Sequence, residues 1–217
     1  MKILVTGGTG YIGSHTVVEL QKQGHQVEIL DNLFNSKITV LEKINQLTGQ
    51  TPVFHQVDLL DYQKMRELFA ATQFDAVIHF AGLKAVAESI EQPLRYYENN
   101  VTGTLNLLKC MAEFNVNKII FSSSATVYGS LNSGRLDESM TTGSCITNPY
   151  GETKHVIEKI LEADAIARPE LSVVILRYFN PVGAHASGLL GEDPNGIPNN
   201  LMPVVMRVAE GKIKELQ

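Results

Sequence analysis

The chain is poor in cysteine, in net charge and in long apolar runs, and each shortage removes a class of protein. Only Cys110 and Cys145 occur, so no disulfide framework is expected, and the usage suits a reducing, cytoplasmic compartment. Cys110, inside Leu107-Leu-Lys-Cys-Met-Ala, reads as helix core and not as a reactive thiol. Lysine and arginine number 18 against 23 aspartates and glutamates, a net charge of −5. That balance gives no electrostatic reason to expect nucleic acid or an anionic membrane as partner. No apolar stretch approaches the ~20 residues that span a bilayer, and Met1-Lys-Ile-Leu-Val-Thr runs straight into a strand instead of a signal peptide. The six histidines (15, 25, 55, 79, 155 and 185) show no H-x-x-x-H spacing and no pairing with cysteine, so no metal site is expected. Internal repeats, low-complexity tracts and linkers are missing too.

What remains is an ordinary globular composition, 44% hydrophobic and 19% charged over 217 residues, long enough to bury a substantial core. Short β-rich apolar runs predict strands at Lys2–Thr6, Gln26–Leu30, Val53–Val57, Ala76–Phe80, Lys118–Ser122 and Ser172–Arg177. Runs such as Ile3-Leu-Val5 and Ala76-Val-Ile78 are apolar throughout, which suits strands covered on both faces. Amphipathic stretches predict helices at Tyr11–Gln23, Lys37–Thr48, Tyr62–Thr72, Pro93–Asn115 and Pro149–Ala167, with a last one near Met202–Glu210. Gly24 and Gly49 fall where helix C-caps belong. The alternation implies right-handed crossovers and an α/β fold with a doubly wound parallel sheet. The Ser/Thr/Gly-rich stretch Gly129–Asn148 is expected to be a loop over the carboxyl edge of that sheet, where ligands bind in such folds.

Three motifs carry chemistry. Gly7-Gly-Thr-Gly10-Tyr-Ile-Gly13 follows the first strand and opens the first helix. Gly7 permits a tight turn, Gly10 lets backbone approach a pyrophosphate, and Gly13 allows the helix to pack closely on the sheet. The helix N-terminus behind them presents free N–H groups and a favourable dipole to phosphate. The spacing is G-x-x-G-x-x-G; the bland alternative is a turn that serves packing alone. Asp31 ends the second strand, 18 residues after Gly13. A carboxylate there accepts hydrogen bonds from ribose hydroxyls and repels a 2′-phosphate, favouring NAD over NADP; a plain turn aspartate before Asn32 competes with that reading. Asp58 after the third strand is a candidate for adenine, with a helix N-cap as the equal alternative. Phe80-Ala81-Gly82 leaves room for a cofactor beside backbone, and Lys84 is either a phosphate or ribose contact or a solvated lysine.

The third motif is Tyr150-Gly-Glu-Thr-Lys154 with Ser124 upstream in Ser122-Ser-Ser-Ala-Thr-Val-Tyr128. Residues four apart share one helix face. An unperturbed tyrosine has a pKa of about 10, and a cation beside it is expected to lower that value and make the phenol a base near neutral pH. Alone the pair is weak, because Tyr and Lys at this spacing often form a solvated face; Ser122–Ser124 alone could be a polar strand-to-loop transition.

Together with His79–Lys84, Asn99-Asn100-Val, Arg177-Tyr-Phe-Asn-Pro-Val-Gly-Ala-His185 and the segment 191–203, these residues resemble the extended short-chain dehydrogenase/reductases, from end to end of the chain. His79–Lys84 and the last two segments narrow the likeness to the members that epimerise nucleotide sugars. The resemblance implies a Rossmann-type NAD-binding domain at 1–177 and the incomplete start of a substrate-binding region at 178–217. It implies NAD held by Gly7, Gly10, Tyr11, Ile12, Gly13, Asp31, Asn32, Asn35, Ser36, Asp58, Leu59, Phe80, Ala81, Gly82, Lys84, Asn99, Ser122, Tyr150, Lys154 and Tyr178. Catalysis would fall to Ser124, Tyr150 and Lys154, in an epimerisation at C4 of a UDP-hexose through a 4-keto intermediate with Tyr150 as base. Substrate contacts would come from Ser124, Tyr150, Phe179, Asn180, Asn200 and Leu201. Helices Pro93–Asn115 and Pro149–Ala167 would pair in a homodimer. Members of the family continue past residue 217, with a part that closes over the nucleotide sugar. Two alternatives stay open: an NAD-binding fragment without turnover, and a 4,6-dehydratase. The latter typically has an acid pair following a Thr beside Ser124, where this chain has Ala125-Thr126.

Overall fold

In the computed structural model, residues 1–131, 134–195 and 200–215 are described. Six strands, β1 (Lys2–Thr6), β2 (Gln26–Asp31), β3 (Val53–Gln56), β4 (Ala76–His79), β5 (Lys118–Ser124) and β6 (Ser172–Tyr178), form one sheet in the order β3-β2-β1-β4-β5-β6. Every pairing is parallel. The order reverses between β1 and β4, so the loops that leave those two strands diverge and open a crevice at the carboxyl edge.

The apolar runs feed two cores by parity. Leu4, Leu30, Val77, Ile119 and Phe121 join one cluster, while Ile3, Val5, Val27, Ile29 and Ile78 join the other. Successive side chains point to opposite faces, and helices cover both. Four helices match the predicted ones closely: α1 (Tyr11–Lys22), α2 (Val40–Thr48), α3 (Tyr62–Ala71) and α7 (Pro149–Ala167). Gly49 caps α2 in the left-handed conformation, at φ 75°, and Gly24 takes φ 82° beyond α1, each a turn that favours glycine. Asp61, not Asp58, caps α3, accepting from the Lys64 amide at 3.1 Å. Cys110 is buried, and burial pushes its thiol up to about 11.

The region after β4 departs from the expected single helix Pro93–Asn115. A short helix α4 (Val86–Glu91) precedes α5 (Pro93–Tyr96), and a π-helical stretch over Tyr97–Thr102 leads into α6 (Gly103–Glu113). Wide turns of this kind occur most often at functional sites. Here the turn coincides with Asn100, which is buried and holds the loop after β4. Its amide donates to the Leu83 carbonyl at 3.0 Å and to the Thr153 hydroxyl at 3.1 Å, and its carbonyl accepts from the Leu83 amide at 2.8 Å. A helix-period sequence carries no mark of such a turn.

The chain after β6 crosses back over the sheet edge. Leu190 is buried in the α1/α2-side core, the Tyr11 hydroxyl donates to the Gly183 carbonyl at 2.6 Å, and the Asn195 amide donates to Asn35 Oδ1 at 3.0 Å. A final helix α8 (Leu201–Ala209) has no buried residue, and β6 leaves Val174 and Leu176 exposed. No helix among the described residues is long and apolar enough to cross a membrane.

Candidate cofactor and catalytic cleft

One cleft of about 630 Å³ runs along the carboxyl edge of the sheet, a volume typical of small-molecule sites. Every residue expected at a cofactor or substrate lines it except Leu201, which lies exposed at the start of α8. Asn200 does line it and precedes α8, yet its side chain makes no cap; its amide donates to Glu192. The preceding Asn199 lies outside the described residues. No described residue of Gly129–Asn148 lines the cleft. Its described residues connect the carboxyl end of β5 to α7, held to the short 3₁₀ turn Ala125–Tyr128 by the Gly143 amide on the Val127 carbonyl at 2.8 Å, with Ser130 N on Cys145 O at 3.1 Å.

At one end of the cleft lies the glycine turn. Gly7 has φ 69° and a Cβ there would sit 2.7 Å from the Ala81 amide nitrogen, so the turn and the loop after β4 touch through backbone. At Gly13 a Cβ would meet the Gly7 carbonyl at 2.2 Å and Gly8 Cα at 2.9 Å. This glycine therefore serves close packing of the helix on the turn that follows β1. At Gly10 a Cβ would meet only the Gly7 carbonyl, at 3.2 Å, so its absence leaves the cradle open. No side chain caps α1 among the described residues. The N–H groups of its first turn and the positive end of its dipole remain available to an anion.

The contrast between the glycines yields a test. Gly13→Ala forces the turn apart, and overpacking of that kind costs roughly 1–3 kcal/mol. We expect a lower melting temperature together with a loss of NAD affinity of about tenfold or more. Gly10→Ala is expected to weaken NAD binding while leaving the melting temperature near that of the parent. Unchanged binding in both, by calorimetric titration, would contradict this account of the turn.

Asp31 ends β2 nearly buried. One oxygen accepts from the Leu33 amide (2.9 Å) and the Ser36 hydroxyl (3.1 Å), the other from the Thr9 amide (3.3 Å). The carboxylate thus binds its own turn, as the bland reading had it, and lines the cleft as well. Leu33 is held at φ 61° by that turn, a conformation uncommon for a non-glycine residue. Asp58 accepts from the Asn32 amide at 2.8 Å and the Leu60 N–H at 2.8 Å, joining the ends of β2 and β3. Lys84 is paired with Glu192 at 3.0 Å across the cleft.

At the other end stand Ser124, Tyr150 and Lys154. Asn148 caps α7 by accepting from the Gly151 amide at 2.9 Å, and this aims the first turn, with Tyr150, at the end of β5. Lys154 is buried and donates to the Ser122 carbonyl at 2.7 Å; its Nζ lies 4.8 Å from the Phe121 ring centre and 5.9 Å from that of Tyr150. Burial brings the ammonium down to about 8, with Glu158 opposing the fall. The expected lowering of Tyr150 does not appear. Burial raises this phenol and only Ser124 pulls it down, because Lys154 turns its charge toward Ser122 and is itself desolvated. Ser124 Oγ accepts from the Thr126 amide (3.2 Å) and the Thr126 hydroxyl (3.0 Å), which leaves its own proton to donate.

His79 and Asn100 brace this end. His79 is buried between the Thr6 hydroxyl (2.6 Å) and the Thr104 hydroxyl (2.9 Å). Their positions were legible, since both stand in motifs that carry the resemblance, but their bracing roles depend on contacts distant in sequence. Among the described residues no group of three His, Cys, Asp or Glu side chains could hold a metal.

The model for the NAD dependent epimerase/dehydratase family matches residues 3–217. The chain is 56% identical over 215 residues to a UDP-glucose 4-epimerase of Neisseria meningitidis serogroup C, and 54% identical over 216 residues to that of Bacillus subtilis. It covers 99% and 100% of its own length in these matches but only 63% of each relative. Among solved structures it superposes with a TM-score of 0.96 and 51% identity on a UDP-glucose 4-epimerase from Bifidobacterium longum in complex with NAD+ and UDP, matching 99% of this chain and 64% of that one. The Stenotrophomonas maltophila enzyme, with bound NAD and formylated UDP-arabinopyranose, gives 0.94 and 49%, covering 100% of this chain and 64% of that one. With this cleft, this sheet order and a family match that runs almost from end to end, the chain belongs to the NAD-dependent epimerase/dehydratase family.

Proposed function

We propose that this chain is the cofactor-binding, catalytic portion of an NAD-dependent UDP-hexose 4-epimerase, with residues 1–177 the NAD-binding unit and 178–217 the start of the substrate-binding region. The observation that carries the proposal is one shared cleft, which brings the glycine turn and Asp31 to one end and Ser124, Tyr150 and Lys154 to the other. The open cradle at Gly10 and the uncapped α1 terminus fit a dinucleotide pyrophosphate. In this reading Asp31, Asn32, Asn35 and Ser36 take the adenosine ribose side, Asp58 and Leu59 the adenine, and Phe80–Gly82, Lys84, Asn99, Ser122 and Tyr178 the rest. When bound, NAD supplies a hydride acceptor that also returns the hydride, and a fixed positive charge.

The chain's own groups then handle the proton. Tyr150 takes it from the sugar 4-hydroxyl, and Ser124 donates its free hydrogen to the same oxygen. Phenol and serine pass the proton back once the 4-keto sugar has presented its other face. Lys154 holds the nicotinamide ribose. Because burial holds the Tyr150 phenol neutral in the protein alone, its activation as a base belongs to the loaded state. Phe179, Asn180 and Asn200 line the cleft on the substrate side; Leu201 would reach it only if the start of α8 moved inward. Exposed Leu94 and Ile166 on the helices flanking the site support a homodimer, and two unpaired cysteines support a cytoplasmic setting.

Purified protein that carries NAD, together with interconversion of UDP-glucose and UDP-galactose by a full-length form, is the expected result. NAD binding without turnover in that form would favour a nucleotide-binding module instead; absence of NAD binding would remove both readings.

A further inference from the structure

We propose that Glu158 is a positioning residue that keeps Lys154 protonated beside Tyr150. The inference rests on the reading of Lys154 as the cation of the catalytic set. Tyr150, Lys154 and Glu158 recur at intervals of four along α7 and so share one helix face. Glu158 is 1% exposed. Arg177 of β6 grips both its oxygens, Nε to Oε1 at 3.1 Å and Nη2 to Oε2 at 2.9 Å, and the Ser123 hydroxyl donates to Oε1. Arg177 is fixed in turn, its guanidinium 3.3 Å from the Tyr128 hydroxyl and stacked 5.1 Å from that ring centre.

An ion pair of this kind would anchor α7 to the sheet edge whatever Lys154 did. The case for more lies in what surrounds the ammonium. From α7 it is faced by Tyr150 and Glu158, from β4 by His79, which burial holds neutral, and from β5 by the Ser122 carbonyl and the Phe121 ring. At Gly82 a Cβ would stand 3.8 Å from Nζ, so that side carries no charge either. Among the described residues, Glu158 is therefore the one anion facing Lys154. It faces two cations, the buried Lys154 and the half-buried Arg177. Burial disfavours the charged lysine, and a carboxylate one helical turn away opposes that loss in a medium of low dielectric.

The test follows Lys154 directly. Protein labelled with ¹³C at the lysine ε-carbon is titrated, and the Lys154 signal is assigned by its absence in Lys154→Met. In the parent it should titrate near pH 8, well below ordinary lysines. In Glu158→Gln it should titrate at least about one pH unit lower. Should that variant fail to fold, Glu158→Met with Arg177→Met removes both charges together, a replacement that buried pairs often tolerate, and should still shift the titration downward, by less because the like charge of Arg177 leaves with it. A purely structural Glu158 predicts a lower melting temperature with the Lys154 titration unmoved, and that result in either folded variant overturns the proposal. The readout needs neither cofactor nor turnover, so failure of the epimerase reading would appear separately, as a full-length Tyr150→Phe that still interconverts the two sugars.

Discussion

Replacing Tyr150 with phenylalanine in a full-length form should lower turnover by about 10²–10⁴-fold on UDP-glucose while NAD remains bound. The change removes one oxygen from a residue whose ring is half-buried against the cleft wall, so packing survives and the effect isolates proton transfer. The size follows from the role. Positioned acid–base groups contribute on that scale, and neither neighbour can replace this one. Lys154 already donates to the Ser122 carbonyl and has no lone pair while charged, and Ser124 spends both acceptor sites on Thr126. Ser124→Ala should cost less, because a hydrogen bond to the same oxygen is lost but the base stays. Turnover by Tyr150→Phe close to that of the parent would remove Tyr150 from the mechanism.

The second large effect is on stability in acid, and it belongs to His79. The hydrogen-bond chain fixes its tautomer. The Thr104 hydroxyl donates to the Asn100 carbonyl at 2.7 Å, so towards His79 its oxygen accepts, and Nε2 carries the proton. Nδ1 is then the acceptor of the Thr6 hydroxyl at 2.6 Å, while Thr6 Oγ1 itself accepts from the Ala81 amide at 3.3 Å. A second proton on Nδ1 would confront the Thr6 O–H, and it would place a charge at a site that is 1% exposed. Burial, with Lys154 adding to it, brings this imidazole down to about 3 from its usual 6.5. A group whose basic form is the one the fold accepts makes the unfolded chain bind more protons between those values. Stability is present above pH 6.5 and falls as the pH drops toward 3. The loss amounts to roughly 1.4 kcal/mol per unit, on the order of 4–5 kcal/mol in all, comparable with the whole margin of many domains. Urea unfolding of parent and His79→Gln between pH 7 and 4 should show a slope steeper by about one proton in the parent. Equal slopes would mean that His79 is not the group responsible. The site gives such a loss a functional edge, because Thr6 leads directly into the Gly7 turn and Thr104 leans on the Asn100 carbonyl.

Local pattern made much of this molecule readable. Strands apolar on both faces called for a parallel sheet between two helix layers, since only full cover suits them. Gly7, Gly10 and Gly13 mark the turn because glycine is the residue that leaves no Cβ where two backbones meet, and that requirement survives any context. Their spacing did not give the atoms that Gly13 packs against, which depend on the curl of the turn. Asp31 was placed correctly at the end of β2, and the structure adds that the same carboxylate also ties up Leu33, Ser36 and Thr9. The π-helical stretch at Tyr97–Thr102, the neutral His79 and the Glu158–Arg177 pair were not legible. Each depends on groups brought together by strand order and crossover.

By itself, then, the sequence determined which side chains of the Tyr150–Lys154 set share a helix face, where a phosphate-binding turn follows a strand, and that the sheet is parallel. All of these are periodicities or steric exclusions that act within a few residues. Tertiary structure alone decided the charge states. Tyr150 is raised rather than lowered, Lys154 is brought down and His79 is held neutral, because desolvation and the direction of a distant hydrogen-bond partner are set by the fold and by no local spacing.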